Sequence, residues 1–107
     1  MFTSAAAHKV AELIREEGNA ALKLRPDSSA ILDSRAFAEL RLGQLDAALS
    51  DYDAALGKAP NQAASLYGRG IVERRKGDKP KGDADIAAAR RIQDDIGQTF
   101  SRMGVSS

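Results

Sequence analysis

Apolar residues recur along this chain with the period of a helix. Leu45, Ala48, Leu49, Tyr52, Ala55, Leu56 and Ala59 fall at i, i+3, i+4, i+7, i+10, i+11 and i+14, and so line one continuous face. No stretch alternates in the manner of a strand. Gly43 and Gly77 stand where a helix must close, and Pro26 and Pro60 stand where one cannot continue. Asp27, Ser28, Ser29 and Asn61 then offer side-chain oxygens to cap the helices that follow. The pattern predicts six helices near 4–24, 28–42, 45–58, 62–76, 79–92 and 94–103, on linkers short enough to make neighbours antiparallel.

The chain also repeats itself. An offset of 34 carries Pro26 onto Pro60, Ala30 onto Ala64, Leu32 onto Leu66, Arg35 onto Arg69, Glu39 onto Glu73, Arg41 onto Arg75, Gly43 onto Gly77 and Asp51 onto Asp85. Ala20, Ala21 and Leu22 map onto Ala54, Ala55 and Leu56, so the first helix corresponds to the second half of an earlier unit. This divides the 107 residues into a half repeat (4–27), two repeats (29–62 and 63–94) and a C-terminal cap (95–107). The last unit has Asp83 and Arg90 where the middle one has Leu49 and Leu56, as suits the end of an array. Ile92, Ile96, Phe100 and Met103 form a narrow apolar stripe, expected to lie over the final helix pair.

Two helices per 34 residues, small residues at fixed places and a closing proline resemble the tetratricopeptide repeat family. In the unit from Ser29 the family's pattern falls on Leu32, Arg35, Ala36, Glu39, Gly43, Ala48, Tyr52, Ala55 and Pro60. In the next it falls on Leu66, Arg69, Gly70, Glu73, Gly77, Gly82, Ile86, Ala89 and Asp94. The small positions all hold Ala or Gly. Arg replaces the usual Leu, Glu the usual aromatic, and Asp94 the last proline. The resemblance implies an all-α fold: a right-handed α-solenoid of antiparallel helix pairs, about two and a half repeats long, with a C-terminal capping helix. Arg35 and Arg69 fall at an inward position, and each is followed 16 residues later by an aspartate, Asp51 or Asp85. Either these are ion pairs tying the two helices of each unit together, or all four are solvated surface charges.

In this family the first helix of each unit lines a concave groove that holds a peptide or partner segment. The positions that the resemblance implies are Asp33, Phe37, Leu40 and Arg41 from one unit, and Tyr67, Ile71, Arg74 and Arg75 from the next. An apolar centre with arginines at one edge suits an amphipathic segment with an acidic end. Alternatively the N-terminal helix covers Phe37 and Leu40, which leaves a smaller site around Tyr67, Ile71, Arg74 and Arg75. The Lys and Asn clamp with which some members grip a C-terminal carboxylate is absent from the positions that would supply it, so chaperone-tail binding is disfavoured.

Composition narrows the chemistry. Sixteen Lys and Arg against 15 Asp and Glu leave a net charge of +1, too little to steer nucleic acid or an anionic membrane. The basic stretch from Arg74 to Lys81 is interleaved with Asp78 and lacks an aromatic platform, so it is read as a solvated turn. With no cysteine and a single histidine, His8, neither thiolate chemistry nor a two-histidine metal site is available. The glycines between Lys76 and Gly82 follow a helix rather than a strand and lack phosphate-loop spacing. No cofactor, metal or catalysis is expected. The first ten residues carry no secretory signal, which makes the cytoplasm the default expectation. The expected function is non-catalytic binding of a protein or peptide segment; the alternative is homodimerisation or assembly through the incomplete N-terminal unit, or a place in a longer array.

Overall fold

In a computed structural model, which describes residues 4–106, the chain is all-helical. The helices are α1 (Ser4–Leu24), α2 (Ser29–Arg41), α3 (Leu45–Lys58), α4 (Ala63–Arg75), α5 (Lys79–Ile92) and α6 (Ile96–Arg102). These bounds fall within about two residues of those predicted. Each of the first five packs on its neighbour in sequence, and α4 also meets α2. No helix among the described residues is long and apolar enough to cross a membrane.

The helix ends follow the local chemistry. Gly43 and Gly77 take φ of +78° and +94°, the left-handed conformation that glycine adopts without a Cβ penalty. Each lets the following residue fold back: Gln44 N–H donates to Glu39 O at 2.9 Å, and Asp78 N–H to Glu73 O at 2.8 Å. The Ser28 hydroxyl caps α2 by accepting from Ile31 N–H at 3.2 Å, and the Asp78 carboxylate caps α5 by accepting from Lys81 N–H at 3.3 Å. The expected cap at Asn61 does not form. Position 62 is the N-cap of α4 and makes no cap bond. The Gln62 amide oxygen accepts instead from the Ser29 hydroxyl at 3.2 Å, tying the starts of α2 and α4.

Small residues set how closely the helices approach. A Cβ on Gly70 would lie 2.7 Å from Ile86 Cγ1 and 2.8 Å from the Gly82 carbonyl oxygen, so α4 and α5 touch backbone to backbone. A Cβ on Gly68 would lie 2.3 Å from the Tyr52 ring, which is how a fully buried tyrosine of α3 fits beneath α4. Ala36, Ala48, Ala55 and Ala89 are wholly buried, in a core with Leu40, Ile71, Val72 and Ile86.

The suspected ion pairs form. Arg35 Nε and Nη2 donate to the two carboxylate oxygens of Asp51 at 2.7 and 2.6 Å. Arg69 meets Asp85 in the same way at 2.7 and 3.0 Å. The third arm of each guanidinium reaches back to the preceding helix, Arg35 to Asn19 and Arg69 to Asp53, both at 3.1 Å. Asn19 and Asp53 are themselves 34 residues apart. Each arginine therefore joins three helices, with corresponding partners in both units.

Candidate functional site

The expected placement of the last helix needs correction. Ile96 and Phe100 are buried as the apolar stripe suggested, but Ile92 and Met103 are exposed, and α6 does not simply cap the final pair. It crosses the face that α2 and α4 share. The Phe100 ring sits edge-on to Phe37 of α2, with centroids 5.5 Å apart, and tilted against Tyr67 of α4 at 4.7 Å. Beyond the helix, Gly104 turns at φ +83° and Val105 is buried again, close to Arg41 and Arg75. Three side chains of the C-terminal segment, Ile96, Phe100 and Val105, thus occupy the surface where sequence reasoning sought a partner's residues.

The eight candidate residues separate accordingly. Phe37 and Tyr67 grip Phe100, and Tyr67 is only 2% exposed. Arg41 lies over the outer face of Phe37, its guanidinium carbon 5.8 Å from the ring centroid, and with Arg75 it lines a cleft of about 270 Å³ beside Gly104 and Val105. Asp33 accepts from the buried Ser65 hydroxyl at 2.7 Å, which joins α2 to α4. Burial pushes the Asp33 carboxyl above its usual range, against the pull of that hydrogen bond.

Leu40, Ile71 and Arg74 do not belong with the others. Leu40 and Ile71 are 1% exposed and part of the core. Arg74 turns toward α5, where its Nε donates to Asp83 at 2.7 Å. The physical reason is visible in the repeat: Arg74 and Asp83 occupy the positions of Leu40 and Leu49, so an ion pair replaces two apolar side chains at one place in the packing. Neither α2's Phe37 nor its Leu40 owes its cover chiefly to α1; the C-terminal segment closes over Phe37, while Leu40 lies within the helix packing. Residues that the groove positions did not supply are Phe100, Met103 and Ile14, which with Phe37 and Tyr52 bound an apolar cavity of about 350 Å³ beside α6. On the other flank Tyr67, Arg90, Gln98 and Arg102 border a polar cleft of about 590 Å³.

A second constellation is electrostatic and occurs twice. Glu39 and Glu73 are buried beside the arginine–aspartate pairs, each with one carboxyl oxygen out of contact with any donor. Burial first, then the neighbouring Asp51, pushes Glu39 up to about 8; burial and Asp85 do the same to Glu73, also to about 8. Asp51 and Asp85 stay below their usual range despite burial, because a guanidinium fork and the protonated glutamic acid both donate to them. Each site is a guanidinium, a carboxylate and a neutral carboxylic acid in series. The acids face helix interfaces rather than a cleft. Among the described residues no group of His, Cys, Asp and Glu is arranged to hold a metal ion.

The basic stretch after Arg74 is partly neutralised from within the fold, Arg74 by Asp83 and Lys76 by Asp46. No protein-family model matches the chain, nor does any curated protein or solved structure.

Proposed function

We propose that the chain is a non-catalytic protein-interaction module of tetratricopeptide type, a short right-handed solenoid whose concave side is the face of α2 and α4 and takes up a segment of a partner protein. The observation that carries this reading is the aromatic slot between Phe37 and Tyr67, which accommodates the ring of an amphipathic helix, here Phe100. The corresponding arginine bridges in both units support the repeat assignment. Amide chemical shifts recorded while an amphipathic helical peptide with a phenylalanine anchor is added test it. Perturbations should centre on Phe37, Arg41, Tyr67 and Arg75; perturbations confined to α5 or to the outer face of α3 would overturn the assignment.

One observation favours a second reading, self-assembly through α1. Leu13 is 46% and Leu24 86% exposed on that helix. Sedimentation of the wild type beside a Leu13→Glu, Leu24→Glu variant decides it: a dimer lost in the variant supports assembly, and a monomer in both removes it.

A further inference from the structure

We infer that α6 and the residues after it are a displaceable occupant of the α2–α4 face, and that the partner which displaces them is an amphipathic helix with a large apolar anchor and a carboxylate beyond its C-terminal end. The inference rests on the groove assignment above and adds to it the chemistry of the partner and the competition that governs its access.

Three features make α6 an incomplete filler. It is seven residues long, too short to hold its helical form without the surface beneath it. It is anchored by Ile96, Phe100 and Val105 alone, on a connection through exposed Gln93, Asp94 and Asp95. It is also narrower than its berth, since the apolar cavity by Ile14 and Phe37 and the polar cleft by Tyr67 remain open on its two flanks. Gly97 lies against Tyr67, where a Cβ would be 3.1 Å from the hydroxyl, so on this side α6 touches its support with backbone. A helix carrying a second large apolar side chain toward Ile14 would bury surface that α6 leaves open.

Charge fixes the polarity of the ligand. Arg41 and Arg75 occupy equivalent positions of the two units and border one cleft where the chain leaves α6, with His8 at its rim. Among the described residues neither arginine is in an ion pair with a carboxylate, and the segment from 96 to 106 brings them none. A partner ending in Asp or Glu there supplies the fork partner that the resident segment lacks.

The test uses the full chain and fluorescent peptides of residues 94–105 extended by two glutamates or by two lysines. Phe100→Ser should bind the glutamate-ended peptide at least tenfold more tightly than the wild type does, because its own segment competes less. The glutamate-ended peptide should bind at least fivefold more tightly than the lysine-ended one, and Arg41→Gln with Arg75→Gln should remove that preference. In the wild type, saturating peptide should strip hydrogen-exchange protection from α6 while α4 keeps its own. Equal binding by wild type and Phe100→Ser, with α6 still protected, would overturn displacement yet leave the groove assignment standing if Phe37→Ala abolished binding. Binding by neither chain would overturn both. A concentration-dependent dimer with α6 protected would make a second copy's segment the occupant and overturn the partner's role. If Phe100→Ser fails to fold, exchange in the unliganded wild type decides: α6 amides that open before those of α4 support displacement, and amides that open only together with α4 refute it.

Discussion

Arg35 and Asp51 face each other across α2 and α3 with both guanidinium-to-carboxylate bonds formed, at 2.7 and 2.6 Å, and the aspartate side chain is only 9% exposed. The arginine side chain is 26% exposed, which puts the pair between the surface and interior limits. Asp51→Ala should therefore cost about 2–3 kcal/mol in urea denaturation, more than an exposed pair and less than a fully buried one. Replacing both residues with leucine should recover most of the loss, because no charge is then left uncompensated. A single-mutant loss below about 0.5 kcal/mol would reduce the bridge to a surface contact.

Stability should fall as the solution becomes alkaline. Glu39 and Glu73 have an ordinary value of 4.5 and stand near 8 in the folded chain, so the fold binds their protons more tightly than the unfolded chain does. Their contribution is complete below pH about 4.5, declines as pH rises, and is gone above about 8. Asp51 and Asp85 act in the opposite sense, since their lowered values give stability above the usual aspartate range that is lost on acidification. The melting temperature should peak in mildly acidic solution. Glu39→Gln with Glu73→Gln, which keeps a donor toward each aspartate, should flatten the alkaline limb; a wild type that melts higher at pH 8.5 than at pH 5.5 would contradict the protonated assignment.

Glycine positions separate by what lies above them. Gly70→Ala drives a methyl into the Gly82 carbonyl and should cost about 1–3 kcal/mol, since backbone cannot turn aside as a side chain can. At Gly57, inside α3, nothing lies within 4 Å, and alanine there should add about 0.5–1 kcal/mol through helix propensity. Thermal melts of the two variants should move in opposite directions.

Arg74 and Asp83 invite the reverse substitution. Their side chains are 35% and 45% exposed, so the ion pair adds little. Restoring the leucines of the preceding unit with Arg74→Leu and Asp83→Leu should leave stability unchanged or raise it by about 1 kcal/mol. A lower urea midpoint would show the ion pair to matter more than its exposure suggests.

The helix bounds and the arginine–aspartate pairs were legible in the sequence because both rest on local period and on recurrence, which survive without coordinates. Glu39 was legible only as a departure from an aromatic: its meaning depends on Asp51, twelve residues away and close only once α2 and α3 have packed. Arg74 was assigned to the groove by register alone, whereas Asp83 on the neighbouring helix decides where its side chain turns. The stripe of α6 announced a buried face but not its destination. One turn and a half of helix can lie across several surfaces, and Phe100 is placed by a slot built from residues 37 and 67, far from it in the chain.

The three-way arginine bridges make the architecture extensible. A second copy of residues 29–62 spliced in after residue 62 would bring an arginine opposite the existing Asp53 and carry its own aspartate for that arginine's fork, and the following Arg69 would find the copied Asp53 in turn. Every joint would close with the partners it already uses. An insertion of any other length would leave a guanidinium facing the wrong neighbour, so the chain carries a unit of growth as well as a shape.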